Sequence, residues 1–270
     1  MERIQQALDK AGKQRQQGVP ENTAQDQPDA PVADLQSGGI SYSQTRVIQV
    51  SQEQLKENRI VAGIKTNPHA DTFRVLRSRV LQKLRKQNLN TLAITSPNRG
   101  SGKSMVAVNL AISLSLEVNQ TVMLVDLDLR RPSIHKYFNY TPERGISDYL
   151  EHDIPLSDLL VHPSIERLVL LPGGSPVTNS SELLTSPRMT NLVEEISNRY
   201  ASRIILFDLP PLLHMDDALA FLPQVQSSLL VVEEGATQPE QIEQSIHLLE
   251  DSNLLGTIYN KARHVADSPY

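Results

Sequence analysis

The chain has 270 residues, 39% hydrophobic and 21% charged, with a net charge of −5, enough for one α/β domain plus a tail. The acidic balance creates no basic field for nucleic acid or anionic lipid, and aromatic residues make up only 4%. The absence of cysteine excludes disulfides, thiol catalysis and Cys-ligated zinc.

No apolar run approaches the roughly 18–20 residues that cross a bilayer. Met1–Gln16 lacks the apolar centre of a secretory signal, so a membrane role is expected only through a partner. In chain order, residues 1–16 predict a short amphipathic helix with Ile4, Leu8 and Ala11 on one side. Residues 17–40, with Gly18, Pro20, Pro28, Pro31, Gly38 and Gly39, read as a flexible linker. Ser51 and Gln54 have capping-box spacing and open a short helix. The expected division is 1–60 for helix and linker, 61–263 for the folded domain and 264–270 for a mobile tail.

A helix is expected over His69–Lys86, with Phe73, Leu76, Val80, Leu81 and Leu84 at helical spacing. Strands follow at Leu89–Thr95, Thr121–Leu127, Arg167–Leu171, Arg203–Asp208, Ser228–Val232 and Gly256–Asn260. Helices are expected at Lys103–Glu117 and at about 187–198, 214–222 and 238–251. Alternating strands and helices predict an α/β fold with a mostly parallel central sheet flanked by helices on both faces. Such sheets bind ligands beyond the carboxyl ends of their strands, where three polar motifs fall.

The first motif is Ser96-Pro97-Asn98-Arg99-Gly100-Ser101-Gly102-Lys103-Ser104, between a strand and a helix. Glycines turn backbone N–H groups toward phosphate oxygens, and the helix N-terminus adds its dipole. Lys103 is placed for the β and γ phosphates of ATP and the Ser104 hydroxyl for Mg²⁺. Pro97 stands where the usual pattern begins with Gly. The alternative is a Gly-rich turn with a solvent-exposed Lys.

The second motif is the apolar run ending Asp126-Leu127-Asp128-Leu129-Arg130-Arg131-Pro132. Alternation puts Asp126 and Asp128 on one face, where two carboxylates need a compensating cation. A phosphate-bound Mg²⁺ is one such cation; capping of a helix near Pro132–Tyr137 is the alternative use. The third is Ile204–Phe207 ending in Asp208-Leu209-Pro210-Pro211, an apolar strand closed by a carboxylate that serves Mg²⁺ in P-loop enzymes.

Together these motifs closely resemble the bacterial tyrosine kinases that control capsule and exopolysaccharide synthesis. The resemblance covers about residues 60–263. It includes Asp71-Thr72-Phe73-Arg74-Val75-Leu76-Arg77, similar to the family's E-x-x-R-x-x-R oligomerisation helix with Asp replacing Glu. It implies a P-loop NTPase fold, ATP and Mg as cofactors, and a catalytic set of Lys103, Asp126, Asp128 and Asp208. In that set Asp126 is the candidate general base. The metal would be served by Ser104, Asp126 and Asp208. Nucleotide contacts would come from Asn98, Arg99, Gly100, Ser101, Gly102, Lys103, Ser104, Met105 and Arg130, with Asn260 at the adenine. Asp71, Arg74 and Arg77 would join subunits of a homo-oligomeric ring.

The same resemblance implies a cytoplasmic protein recruited to the plasma membrane by a membrane-embedded polysaccharide co-polymerase, a chain-length determinant acting as activator. The family's C-terminal tyrosine cluster is reduced here to Tyr270, the candidate phospho-acceptor. A switch with ATP turnover but little kinase activity therefore stays open. Partition and division-site ATPases carry a signature Lys where this chain has Asn98. The seven His residues are scattered without an i, i+4 pair, which disfavours a His-based metalloenzyme.

Overall fold

A computed structural model describes residues 45–64, 67, 69–200 and 202–262. The expectations for the N-terminal helix, the linker and Tyr270 lie outside these residues. Chain order runs β1 (Arg46–Val47), α1 (Gln52–Glu57), α2 (Ala70–Gln87), β2 (Thr91–Thr95), α3 (Lys103–Ser115), β3 (Thr121–Asp126), α4 (Ile134–Tyr137) and α5 (Ile146–Glu151). It continues with β4 (Val161–His162), β5 (Leu168–Leu171), α6 (Ser180–Leu184), α7 (Pro187–Asn198), β6 (Arg203–Asp208), α8 (Asp217–Phe221), β7 (Ser228–Glu233), α9 (Pro239–Leu248) and β8 (Leu254–Asn260).

The strands form one sheet in the order β1-β4-β5-β3-β6-β2-β7-β8. All neighbouring pairs are parallel except β4 with β5. Alternation divides the central strands between two cores. Leu92, Ile94, Val122, Leu124, Ile204 and Leu206 pack on one face with Leu84, Leu110 and Leu114. Ala93, Met123, Val125, Ile205 and Phe207 pack on the other with Met189, Leu192, Ile196 and Phe221. Phe207 meets Phe221 edge-on, centroids 5.0 Å apart. Truncating one of these buried aliphatics to Ala costs about 2–5 kcal/mol.

Helix α3 is buried almost all round, because α2 covers the side that the sheet does not. Its Asn109 is fully buried yet well partnered. Nδ2 donates to the Arg59 and Met105 carbonyls at 3.1 and 2.9 Å, while Oδ1 accepts from the amides of Val61 and Ala62 at 2.8 and 3.1 Å. The predicted capping box forms on α1. Gln54 N donates to Ser51 Oγ at 3.2 Å and Ser51 N to Gln54 Oε1 at 2.8 Å.

Two features depart from expectation. The packed unit reaches back before residue 61, because Leu55 and Ile60 are buried and β1 pairs with β4. Strands β1 and β4 also add an antiparallel edge to the sheet, and two-residue strands carry no readable period.

Candidate functional site

Strands β2, β3 and β6 lie side by side, and register aligns their ends: Asp126 pairs with Asp208, and Asp208 with Ile94 of β2. The three motifs therefore meet at one edge of the sheet. The loop after β2 is tied down before it turns. Thr95 Oγ1 donates to Pro210 O at 2.8 Å, and Leu212 N donates to Ser96 O at 2.8 Å. Left-handed backbone falls at Gly100 (φ 84°) and Gly102 (φ 87°) and not at residue 97. Pro97 is thus tolerated where Gly was expected. Gly102 is also hemmed in, since a Cβ there would collide with Asn260 Nδ2.

Lys103 opens α3 and is not solvent-exposed. Its Nζ donates to Asp128 Oδ2 at 3.1 Å, Asp208 Oδ1 at 3.5 Å and Ser104 Oγ at 3.3 Å. Burial lowers its proton affinity, but Asp208, Asp128 and Asp126 outweigh burial and hold it above the ordinary lysine value. Three buried carboxylates thus share one ammonium group. Two oxygens, Asp128 Oδ1 and Asp208 Oδ2, are buried without a partner among the described residues. An uncompensated buried carboxylate oxygen is costly.

Asp126 is better provided for. Its Oδ2 accepts from the amides of Ser133 and Ile134 at 2.8 and 2.9 Å, so the helix-capping use is present. Its Oδ1 accepts from Asp128 N at a long 3.3 Å. Burial and then the charge of Asp208 push its pKa up to about 7, against the opposing pull of the two amides and Lys103. Burial, opposed chiefly by Lys103, also raises Asp208.

Lys103, Ser104 and Asp128 border a cleft of about 290 Å³ that is also lined by Arg99, Gly100, Gly102, Arg131, Tyr137 and Pro211. No set of three or more His, Cys, Asp or Glu side chains among the described residues has metal-holding geometry. The donors present are hydroxyl and carboxylate oxygens. They fit Mg²⁺, which takes one or two carboxylates and completes its shell with phosphate and water.

Other predicted residues take different places. Asn98 is clasped by Gln241 of α9, with Nδ2 to Oε1 at 2.8 Å, and by His214, with Nε2 3.0 Å from Asn98 Oδ1. Arg99 Nη2 contacts Met215 Sδ at 3.6 Å. Ser101 Oγ donates to Asn98 O at 3.0 Å, and Asn260 Nδ2 donates to Ser101 O at 2.8 Å. Asn260 thus braces the loop. Met105 packs against the core and Asn109, away from the cleft lining. Arg130 is held by the buried Asp217, Nε to Oδ2 at 3.2 Å, and Asp217 also accepts from Ser180 Oγ.

On α2, Asp71 and Arg74 form an exposed ion pair. Arg77 does not share that exposed face as expected. It turns onto the end of α3, with Nη1 to Ser113 O at 3.1 Å and Nε to Glu117 at 3.0 Å. Sequence reading missed Arg131, Tyr137, Gln241, His214, Asp217 and Ser180. The doubled Arg130-Arg131 was the one visible signal, since their partners lie far along the chain.

The family model "ParA: NUBPL iron-transfer P-loop NTPase" matches residues 87–266. The putatively assigned tyrosine-protein kinase CapB of Staphylococcus aureus is 26% identical over 74% of this chain and 88% of its own length. The succinoglycan biosynthesis transport protein ExoP of Rhizobium meliloti is 31% identical over 76% of this chain and 26% of its own. The solved kinase domain of the Escherichia coli tyrosine kinase ETK superposes with a TM-score of 0.71 at 28% identity, covering 83% of this chain and 91% of that domain. The chain spans about a quarter of the length of most of the curated relatives it matches.

Proposed function

The chain belongs to the bacterial tyrosine kinases, within the ParA-like P-loop NTPases, and we propose on that premise that it transfers the γ-phosphoryl group of ATP to protein tyrosine. The process served would be exopolysaccharide or capsule synthesis, as the names of its relatives indicate. One observation carries the reading: Lys103, Ser104 and Asp128 line the cleft, Lys103 also contacts the buried Asp208 behind it, and the two carboxylates leave two oxygens uncompensated among the described residues. An iron-transfer role that relies on thiolate ligation is unsupported, because the chain has no cysteine.

When bound, Mg²⁺ would neutralise charge that develops on the phosphates in transfer. Ser104 and Asp208 would hold it, with Asp128 in support, all three gathered around Lys103. Lys103 and the amides of residues 100–104 would bind the β and γ phosphates. The tyrosyl oxygen attacks the γ phosphorus, the bond to the bridging β–γ oxygen breaks and ADP leaves. Asp126 would accept the tyrosyl proton. Its pKa near 7 suits a base at neutral pH, and two amides fix its orientation.

No helix among the described residues is long and apolar enough to cross a membrane. We assign membrane recruitment and activation to a co-polymerase partner, as the family resemblance implies, and subunit contacts to Asp71 and Arg74 of α2. Incubation with ATP and Mg²⁺, with and without that partner, followed by phosphotyrosine mass spectrometry, tests the reading. Phosphotyrosine that disappears in Lys103→Met is expected. ATP turnover without phosphotyrosine would replace the kinase with a switch.

A further inference from the structure

Resting on ATP binding in the cleft, we propose that Arg131, and not Arg130 of the sequence motif, is the arginine that contacts the transferring γ-phosphoryl group. Arg130 is spoken for. Its Nε faces both oxygens of Asp217 at 3.4 and 3.2 Å, and Asp217 is buried beside Ser180. Freeing Arg130 would strand that carboxylate, which is expensive in a buried setting.

Arg131 differs on each count. Its side chain is exposed, lines the cleft beside Lys103, Ser104 and Asp128, and makes no ion pair or hydrogen bond with another described residue. Its backbone is nonetheless fixed, because Arg131 N donates to Asp128 O at 2.9 Å. The backbone that carries the guanidinium is therefore anchored to Asp128, whose carboxylate contacts Lys103.

Charge accounting supports the same residue. The ammonium of Lys103 is already faced by Asp128 and Asp208 at 3.1 and 3.5 Å, with Asp126 buried close by. A triphosphate brought into this cleft remains strongly anionic even with Mg²⁺, and Lys103 alone cannot balance it. The loop offers no other lysine here, and its Asn98 is held through the amide by Gln241 and His214. Of the two guanidiniums in the lining, Arg99 belongs to the phosphate loop and rests near Met215. Arg131 belongs to the β3 loop, the side of Asp126 and Asp128. A planar guanidinium there suits the equatorial oxygens of the phosphoryl group in transfer.

The test uses the full chain with ATP, Mg²⁺ and its activator. Arg131→Ala should lower turnover roughly 10²–10³-fold. It should also weaken ATP binding more than ADP binding, by about tenfold in their ratio, because only ATP carries the group contacted. Added guanidinium ion should restore part of the turnover, and Arg131→Lys should retain part of it. Turnover of Arg131→Ala within about threefold of the wild type would overturn the assignment. Equal losses of ATP and ADP affinity would also overturn it, by moving Arg131 to the inner phosphates. A wild type that binds no ATP would sink the kinase reading and this inference together. Normal ATP binding with an indifferent Arg131→Ala would sink this inference alone.

Discussion

The carboxyl ends of β3 and β6 are neighbours in register, and each closes on a fully buried aspartate. Their surroundings differ in kind. Asp126 at the end of β3 is held by backbone amides, which no side-chain change removes. Asp208 at the end of β6 depends on the side chains of the cleft: Lys103, Ser104 and one oxygen left without a partner. Two apolar runs ending in Asp look alike in sequence, yet one end is finished by backbone amides and the other keeps a carboxylate oxygen without a partner among the described residues.

The largest test of that contrast removes the shared cation. Lys103→Met should cut turnover about 10²–10³-fold. It should also weaken ATP binding in calorimetry, since Asp128 and Asp208 then face each other without compensation. Unchanged ATP affinity and turnover would remove the phosphate-loop reading.

The next separates the two strand ends. Asp208→Asn should raise the Mg²⁺ needed for half-maximal turnover by about 10- to 100-fold. Asp126→Asn should lower turnover about 10²-fold or more, while its half-maximal Mg²⁺ stays within about threefold of the wild type. Equal Mg²⁺ shifts in a titration would erase the distinction drawn here.

A smaller effect is thermodynamic. The folded-state pKa of Asp126 is raised from 3.8 to about 7. The folded state thus holds this proton more tightly than the unfolded chain, and the resulting stability is complete below pH 4. It is lost as pH rises toward 7. Urea unfolding without nucleotide should show stability falling by about 2–3 kcal/mol from this group between pH 5 and pH 7.5. Asp126→Asn should flatten that slope, and an equally steep slope in the variant would place the proton elsewhere.

The smallest concerns α2. Arg77→Ala should cost about 1 kcal/mol, because a hydrogen bond and an ion pair to the end of α3 are lost together. Arg74→Ala should change stability by less than about 0.5 kcal/mol, as its pair with Asp71 is exposed. Light scattering with the partner then asks whether Arg74→Ala alone disperses the oligomer. An oligomer that survives it would remove the proposed contact.

Much of this was legible in the chain. The central strands announce themselves as unbroken apolar runs, since both faces of a parallel sheet are covered. The three motifs lie at their ends because the fold puts ligands there. What escaped is long-range or too short to carry a period. Strands β1 and β4 have two residues each. The clasp of Asn98 by Gln241 spans 143 residues, and the hold of Asp217 on Arg130 spans 87. Sequence alternation placed Asp126 and Asp128 together, but no local pattern tells that one has its amides and the other does not. The inward turn of Arg77 depends on Glu117, two residues past the end of α3.

The brace between Asn260 and the Ser101 carbonyl joins groups 159 residues apart, which sets an order on biosynthesis. A ribosome makes about 5–20 residues each second, so the phosphate loop emerges many seconds before the side chain that buttresses it. During that interval Ser101 and Asn98 still lack Asn260 and Gln241. The fully braced phosphate loop is therefore a late feature of the nascent chain, complete only once β8 is in place.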